Sequence, residues 1–227
     1  MKPCNLTTET CLMNDNFTRT LKQIRLPVIA LFVLLELLYW LLAYGTTLND
    51  GQGFLWDSTI MLTVEQFHMK WLISIFLFIT RTGDILLAIP IVAAFTYLWR
   101  RRDKIAAILL LVSASISPLI ALQGKLLLQR SRPEVFPPLS VETTMSFPSG
   151  HTLTAVGVYG YIAVLLWKRD HKLLAWLSGA WVFMIGFSRV YLGAHYPTDV
   201  LASLIEGAGN LIFLSIIEKR INQASPH

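Results

Sequence analysis

The chain has 227 residues, of which 54% are hydrophobic and only 15% are charged, and its mean hydropathy is +0.56. Soluble domains usually carry about 25% charged residues, so this composition excludes an ordinary soluble domain and indicates a membrane protein with several spans. The net charge is +5, and the length fits a single domain, residues 1–227, which no linker or internal repeat divides.

The first predicted element is an apolar span, Pro27 to Tyr44, which follows a polar tail formed by residues 1–26. The span is too long for the apolar region of a signal peptide, so we expect the protein to retain it. It contains Glu36. A carboxylate inside a membrane span is a functional candidate by default, but we favour a protonated or hydrogen-bonded side chain packed against a neighbouring helix.

A polar connection, residues 45–70, comes next. Part of it, Leu55 to Met69, is predicted to form an interfacial helix. His68 lies on this helix. We expect it to be a packed or hydrated side chain rather than a ligand.

The following apolar region is interrupted by a short polar sequence that ends at Gly83 and Asp84. Trp71 to Ile79 is predicted to be a short interfacial helix, and Asp84 to Trp99 is predicted to be the second span. The helix dipole favours a carboxylate at the start of that span. Arg81 is expected to pair with Asp84, with contact to a substrate head group as the alternative.

Four further spans complete the pattern, and a loop of residues 123–150 separates the first two of them. The fifth span is short for a crossing at about 1.5 Å per residue, so it is expected to continue into the Ser188–Asp199 stretch. The predicted fold is therefore all-α: a polytopic membrane protein with six transmembrane helices and short interfacial helices. The third to sixth spans are Ile105 to Leu122, Thr152 to Trp167, Leu173 to Phe187 and Val200 to Ile217.

Basic segments predict the orientation. In a six-span protein the N-terminal tail, residues 100–104, residues 168–172 and residues 218–220 fall on one side. The positive-inside rule assigns that side to the cytoplasm. Both termini are therefore predicted to be cytoplasmic, and the 45–70, 123–150 and 188–199 segments are predicted to lie at the outer face.

Several cations break this bias by lying on the predicted outer face, among them Lys125, Arg132 and Arg189. The Arg guanidinium suits bidentate phosphate binding, and Lys adds a point charge. Their proximity to His and Asp residues predicts an anion site. Taken singly, Lys125 could merely snorkel, and Arg130 with Arg132 could be a basic patch for anionic lipids.

The sequence Pro148-Ser149-Gly150-His151 stands at the predicted start of the fourth span. Free backbone N–H groups and the helix dipole favour an anion at such a position, and Gly lets the backbone come close to it.

His195 precedes Pro197 and Asp199. If Pro197 begins the sixth helix, Asp199 lies in its first turn and reaches back towards His195, as an acid does in a capping box. That contact would fix one ring nitrogen as a donor and leave the other free to attack. A structural pair or a metal site is the alternative, but nearby cations would repel a metal ion and only one carboxylate is at hand.

These residues form a three-part pattern: Lys125-x6-Arg132-Pro133, Pro148-Ser149-Gly150-His151, and Ser188-Arg189-x5-His195-x3-Asp199. The pattern resembles the signature of the type 2 phosphatidic acid phosphatase (PAP2) superfamily, with every part in order and with the usual internal spacing. The motifs lie within residues 123–199, and the six-span layout extends the resemblance to nearly the whole chain.

The resemblance implies a PAP2-like helical bundle in which His195 is the nucleophile that forms a phosphohistidine, Asp199 orients it, and His151 is the general acid. It implies a phosphate site that needs no metal ion and no cofactor. That site is formed by Lys125, Arg132, Arg189, the Ser149 hydroxyl and the Gly150 N–H, with Ser188 as a supporting residue.

The resulting hypothesis is a lipid phosphatase of the bacterial cytoplasmic membrane whose site opens at the outer face. Undecaprenyl diphosphate and phosphatidylglycerophosphate are the favoured substrates, and Arg81, residues 45–70 and residues 134–147 are predicted to select the head group. A lipid phosphotransferase and a non-enzymatic protein that binds or transports anionic lipids are the alternatives. The expected partners are the bilayer and the lipid substrate, with no nucleic acid.

Overall fold

The structure, a computed structural model, describes residues 26–48 and 54–224. The predicted tail up to residue 25, including Cys4 and Cys11, lies outside the described residues. Within the described ranges the secondary structure is helical throughout, which confirms the all-α prediction.

Eight helices, α1 to α8, make up the part of the chain that the structure describes, and a 3₁₀ turn, Ile85–Leu87, precedes α4. Five of them, together with the bent pair α3 and α4, are long and apolar enough to give the six predicted spans. Their bounds are α1 Leu26–Thr46, α2 Leu55–Glu65, α3 Lys70–Arg81, α4 Ala88–Arg100, α5 Lys104–Leu128, α6 Gly150–Lys168, α7 Lys172–Tyr191 and α8 Pro197–Ala224.

The second span differs from the prediction. α4 alone has 13 residues, about 20 Å at 1.5 Å per residue, whereas a hydrocarbon core is about 30 Å thick. By length it can span the bilayer only in combination with α3, to which it is joined through a 50° bend. Side chains from other helices satisfy the polar groups at the bend: the Tyr159 hydroxyl donates to the Thr82 carbonyl and the Trp181 indole donates to the Thr82 hydroxyl, both at 3.0 Å.

Two predicted boundaries are also wrong. α5 continues to Leu128 and ends at Gln129, whose φ of 46° is left-handed, so Lys125 lies on the last turn of a helix and not in a loop. α8 continues beyond Ile217 through the predicted basic end, where Glu218 pairs with Lys168 at 2.6 Å. The fifth span does continue into the polar stretch, because α7 runs to Tyr191.

The core of the bundle lies among α5, α6, α7 and α8. One buried cluster joins Leu110 on α5 to Val158 and Tyr161 on α6 and to Leu214 on α8. α6 contains a π-helical turn, Val156–Gly160, and the Ser113 hydroxyl donates to the Gly157 carbonyl in that turn at 2.7 Å. Such turns are frequent near functional sites.

The outer surface of the bundle carries large apolar side chains, for example Leu31, Leu126, Trp176 and Phe183. In a membrane these side chains face lipid rather than water. α1 packs along α8, with Tyr39 and Ala43 against Ala202. The ends of α5 and α7 and the starts of α6 and α8 then meet at one end of the bundle, together with residues 129–149.

Two residues of uncertain role pack as expected. His68 contacts the Tyr191 carbonyl through Nε2 at 2.9 Å and lies edge-on to the Phe136 and Tyr191 rings. Glu36 faces Gly209 on α8 and is half-buried there.

Candidate active site

The three sequence clusters meet at the end of the bundle where α5 and α7 finish and α6 and α8 begin. A cavity of roughly 340 Å³ opens there between α5, α6 and the α3–α4 bend. Side chains from each cluster line it, together with residues that belong to none of them. The lining residues that matter below are Asp84, Lys125, Glu142, Thr144, Gly150, His151 and His195.

His195 lies in the tight connection between α7 and α8. Gly193 makes this turn with a φ of 70°, a left-handed conformation that favours glycine. The Ala194 and His195 N–H groups both donate to the Arg189 carbonyl, at 2.9 and 3.2 Å, so the turn is held against the end of α7. The imidazole is 1% exposed.

The two ring nitrogens of His195 face different groups. Nδ1 lies 3.5 Å from Oδ2 of Asp199, and Nε2 lies 3.5 Å from Nη1 of Arg132. Each distance is at the outer limit for a hydrogen bond. A proton on Nδ1 faces a carboxylate, and a lone pair on Nε2 faces a cation and the cavity, so this tautomer fits both neighbours.

Burial lowers the pKa of His195 to about 4, and the nearby Arg189 and Arg132 guanidinium groups act in the same direction against the Asp199 carboxylate. The imidazole is therefore neutral at neutral pH. A neutral imidazole carries the free electron pair that a nucleophile needs.

Asp199 lies in the first turn of α8, as predicted, because Pro197 is the first residue of that helix. Its Oδ2 accepts from the Tyr196 N–H at 3.0 Å, which is the backward contact of a capping box. The same oxygen accepts from the Ser146 hydroxyl at 2.5 Å, and Oδ1 accepts from Arg130 at 2.5 Å. The carboxylate is fully buried and has several donors, which suits its ionised form.

Lys125 is the predicted cation that lines the cavity, whereas Arg132 and Arg189 are not among its lining residues. A short stretch of the 129–149 segment contacts all three cations. Lys125 donates to the Thr144 hydroxyl at 2.7 Å and to the Met145 carbonyl at 2.9 Å. Arg132 donates to the Thr144 carbonyl at 2.6 Å and to the Ala194 carbonyl at 2.5 Å.

Arg189, which is buried, donates to the Thr80 hydroxyl at 2.6 Å and pairs with Glu142. The second oxygen of Glu142 lies 3.7 Å from Arg132. Burial raises the pKa of Glu142, but the Arg189 guanidinium outweighs it and holds that pKa below its ordinary value. An ionised carboxylate thus lies between two of the cations predicted to bind phosphate.

His151 lies on the first turn of α6, next to the α3–α4 bend. Its Nε2 is 3.8 Å from Oδ2 of Asp84, and its side chain is 20% exposed. Gly150, the first residue of α6, lines the cavity and leaves room beside Ala121 on α5. The helix start, the His151 ring and the Asp84 carboxylate therefore share one wall of the cavity.

Asp199, Ser149, Ser188 and Arg81 do not line the cavity either. The Ser149 hydroxyl caps α6, contacting the Thr152 hydroxyl at 2.8 Å. The Ser188 hydroxyl donates to the Ile185 carbonyl of its own helix at 2.6 Å. Arg81 is exposed and forms no ion pair in the described ranges, so the expected pairing with Asp84 is wrong; Asp84 faces His151 instead.

The sequence prediction missed several neighbours of the site, among them Asp57, Asp84, Arg130, Glu142 and Ser146. They lie in segments without a motif, or, for Arg130, between two motif positions. Among residues 26–48 and 54–224 there is no cluster of three or more His, Cys, Asp or Glu side chains that could hold a metal ion. The cavity itself is lined by one Lys ammonium group, two imidazoles, two carboxylates and two hydroxyl groups.

Comparison with known proteins agrees with this geometry. A model of the PAP2 superfamily matches residues 104–222. Phosphatidylglycerophosphatase B of Bacillus subtilis is 31% identical over 193 residues, which cover 81% of this chain and 92% of that protein. Undecaprenyl-diphosphatase of Sulfolobus acidocaldarius is 26% identical over 200 residues, covering 86% and 92%.

A solved structure has the same fold. The crystal structure of a transmembrane PAP2 type phosphatidylglycerolphosphate phosphatase from Bacillus subtilis superposes with a TM-score of 0.76 at 30% identity. The superposition covers 84% of this chain and 96% of that one. The likeness therefore includes both the bundle and the end of it that carries the cavity.

Proposed function

The chain belongs to the PAP2 superfamily, and from that membership we propose that this membrane lipid phosphatase hydrolyses a lipid phosphomonoester through a phosphohistidine on His195, within a single domain. The carrying observation is that two imidazoles, His151 and His195, line one cavity beside Lys125, and that the His195 imidazole is buried and neutral. A protein that only binds or transports anionic lipids has no need for such a pair. The family relatives named above are phosphatases, which favours an enzyme.

The proposed first step is an in-line displacement at phosphorus. The Nε2 electron pair of His195 forms the N–P bond, and the bond between phosphorus and the lipid oxygen breaks. His151, which the negative charge of the bound phosphate helps to protonate, gives its proton to the leaving oxygen. Asp199 faces Nδ1 and stabilises the positive charge that the ring acquires.

The second step is hydrolysis of the phosphohistidine. His151, now neutral, takes a proton from a water molecule, whose oxygen attacks phosphorus while the N–P bond breaks. Orthophosphate leaves and His195 regains its electron pair. In both steps Lys125, Arg132 and Arg189 stabilise charge on the equatorial oxygens, a role that fixed cations perform in phosphoryl transfer.

The Gly150 N–H is proposed as a further donor to the phosphate. We also retain the predicted roles of the Ser149 and Ser188 hydroxyls as proposals. Ser149 would have to exchange its contact with Thr152 for one with phosphate. Ser188 would have to release the Ile185 carbonyl.

The Asp84 carboxylate beside His151 favours a phosphomonoester over a diphosphate as the substrate. A leaving group protonated by His151 departs past the Asp84 carboxylate, 3.8 Å from that imidazole. An alcohol, such as the glycerol of phosphatidylglycerophosphate, can donate a hydrogen bond to this carboxylate. Undecaprenyl phosphate, the leaving group when His195 attacks the terminal phosphorus of undecaprenyl diphosphate, would place a second negative charge beside this carboxylate.

The experiment that tests the function is phosphate release from purified protein in detergent with a chelator present. Wild type is expected to release phosphate from phosphatidylglycerophosphate faster than from undecaprenyl diphosphate. The phosphohistidine intermediate is trapped by quenching a ³²P-labelled reaction with alkali, because acid would hydrolyse it. His195→Ala should form no phosphoenzyme and release no phosphate. Full activity in His195→Ala would exclude the mechanism, and no release from either lipid by wild type would exclude the function.

A phosphotransferase would use the same phosphoenzyme, so only the acceptor distinguishes it. Analysis of products with a labelled donor lipid and an added unlabelled lipid alcohol separates the two. Label recovered as orthophosphate supports hydrolysis. Label recovered in the second lipid supports transfer.

A further inference from the structure

Asp57 is a buried carboxylate that lies outside the three sequence clusters. It belongs to the first turn of α2, the short helix that precedes the α3–α4 pair, and it is 0% exposed. Its Oδ1 accepts from the backbone N–H and the hydroxyl of Thr198, at 2.8 and 2.6 Å. Its Oδ2 accepts from Nη2 of Arg130 at 2.9 Å. Asp57 thereby holds the first turn of α8, which also carries Asp199.

Arg130 connects this carboxylate to the proposed catalytic one. Its second terminal nitrogen, Nη1, donates to Oδ1 of Asp199 at 2.5 Å, and its guanidinium lies 3.9 Å from the centre of the Tyr196 ring. The Arg130 side chain is 1% exposed. A charge buried to this extent is stable only when it is paired and hydrogen-bonded.

Because Arg130 binds one oxygen of Asp199, the two carboxylate oxygens have different partners. Oδ1 is held by Arg130, while Oδ2 lies 3.5 Å from Nδ1 of His195. The three charged groups sum to one negative charge, two carboxylates against one guanidinium. That negative charge opposes the Arg132 and Arg189 guanidinium groups, which disfavour a positive charge on His195.

We infer that Asp57 is a positioning residue for the nucleophile, which acts through Arg130 to fix the Asp199 carboxylate against His195 and to set the net charge that the imidazole experiences. This inference rests on the proposed function of His195. Asp57 does not line the cavity, so it acts without touching substrate.

The test uses two single variants whose charge changes have opposite signs, together with their double variant. Asp57→Asn removes one negative charge, Arg130→Gln removes one positive charge, and the double variant restores the net charge of wild type while keeping an amide pair in place of the ion pair. Asp103→Asn is the matched control, because Asp103 pairs with Arg169 at the other end of the bundle, at 2.6 Å. Kinetics are measured with the lipid phosphomonoester from about pH 2.5 to about pH 8.

The expected signs follow from the stability of the imidazolium. Less negative charge in Asp57→Asn makes the imidazole harder to protonate, so the acid limb of kcat/KM moves to lower pH. Arg130→Gln moves it to higher pH, and the double variant returns it to the wild-type position. Asp57→Asn is also expected to lower kcat by on the order of tenfold with little change in KM, because ground-state phosphate binding does not involve Asp57.

A purely structural role would lower the amount of folded protein without displacing the acid limb, and that result overturns the inference. The inference is also overturned if the acid limb of kcat/KM moves in the same direction in both single variants, or if kcat for Asp57→Asn equals kcat for Asp103→Asn. If a single variant does not fold, the double variant decides: an unchanged limb with reduced kcat supports the inference, and a displaced limb overturns it. His195→Ala is assayed in parallel, because activity there contradicts the proposed function rather than the role of Asp57.

Discussion

A buried imidazole is neutral because the surrounding protein gives a cation little of the stabilisation that water provides. His195 shows this effect at the scale of a residue: burial and two guanidinium groups together outweigh one carboxylate. The nearby cations that we propose to bind phosphate therefore also keep the proposed nucleophile unprotonated. Once phosphate is bound, its negative charge reverses part of this balance and lets the ring become positively charged as the N–P bond forms.

The first prediction concerns the pH dependence of catalysis. The pKa of His195 is lowered to about 4, so the reactive neutral form persists down to that pH and is lost below it. We expect kcat/KM, corrected for the second ionisation of the substrate phosphate measured by ³¹P NMR, to fall only near that value, since kcat/KM reports groups of the free enzyme. An acid limb near 6.5, the ordinary pKa of histidine, would contradict the buried neutral imidazole.

A second prediction concerns the Glu142 carboxylate, which lies where phosphate oxygens would compete for the same guanidinium groups. Glu142→Gln removes this competitor from Arg189 and Arg132. Orthophosphate, the product, is expected to inhibit the variant more strongly, with an inhibition constant lower by on the order of tenfold, which corresponds to about 1.4 kcal/mol. Inhibition by added phosphate at fixed substrate concentration measures it.

The control for this change is Glu134→Gln, because Glu134 is an exposed acid in the same segment. It should leave the inhibition constant unchanged. Equal inhibition of the Glu142 variant and wild type would mean that the carboxylate does not compete with phosphate.

The contacts that could be predicted from the sequence were those between residues a few positions apart, which one turn of a helix brings together. His195, Pro197 and Asp199 fall within five positions, and the first turn of α8 brings the acid back to Tyr196 and His195 as predicted. Asp57 was missed because it lies 73 residues from Arg130 in the chain and meets it only in the folded bundle. Arg130 was considered only as part of a basic patch, since nothing local to it indicates a buried partner.

At the scale of elements, the position of His151 depends on how closely the segment before α6 approaches α5. Gly124 on α5 allows this approach: a Cβ there would lie 2.5 Å from Cδ of Pro148 and 3.1 Å from the Tyr39 hydroxyl. Pro148 stands three residues before His151. The glycine thus lets the start of α6 lie against the last turns of α5, near Lys125.

The third prediction follows from this contact. Gly124→Ala must displace Pro148, and we expect kcat/KM to fall by about ten- to a hundredfold, because a displacement of about 1 Å is costly for catalysis. Gly179→Ala on α7 is the matched change, since a Cβ at that position meets nothing within 4 Å. It should keep full activity. Phosphate release and thermal unfolding of both variants check the prediction, and equal activity would contradict it.

The helices themselves were predicted more successfully than their ends. Apolar length gave α1, α6 and α7 within a few residues, because the bilayer sets the length of a span. The bend between α3 and α4 was placed correctly at Gly83, but the sequence could not show that α4 is too short to cross alone. Continuation of α5 to Leu128 was missed because the polar residues Gln123 and Lys125 look like a loop until their partners in the 129–149 segment are known.

At the scale of the molecule, the cavity opens between α5 and the α3–α4 bend, where Leu87 and Leu122 line it beside the polar groups. One side of the site is therefore apolar and close to lipid-facing helices. This arrangement supports our proposal that a lipid enters sideways from the bilayer with its phosphate directed towards His195. A soluble phosphate ester would need no such wall.

The last prediction concerns orientation in the membrane, which we propose from the basic ends of the bundle. Val141 lies in the segment that covers the cavity and is 96% exposed, and Lys172 begins α7 at the other end with a side chain that is 61% exposed. Single cysteines at these positions, in a chain with Cys4→Ser and Cys11→Ser, report which end faces out. A membrane-impermeant maleimide added to intact cells should label Val141→Cys, and should label Lys172→Cys only after the membrane is permeabilised.

This outcome is expected because the many Lys and Arg side chains near residues 100–104 and 168–172 disfavour translocation of that end of the bundle. At the cavity end the cations are paired with carbonyl groups and with Glu142. The bias depends on charge in short loops, so the topology of this chain should be robust even though its cavity end is also cationic. Labelling of Lys172→Cys in intact cells would show that the orientation is the opposite of the proposed one, and that phosphate is released into the cytoplasm. The fold and the chemistry of the site would stand, but the substrate would then have to be reached from the inner leaflet.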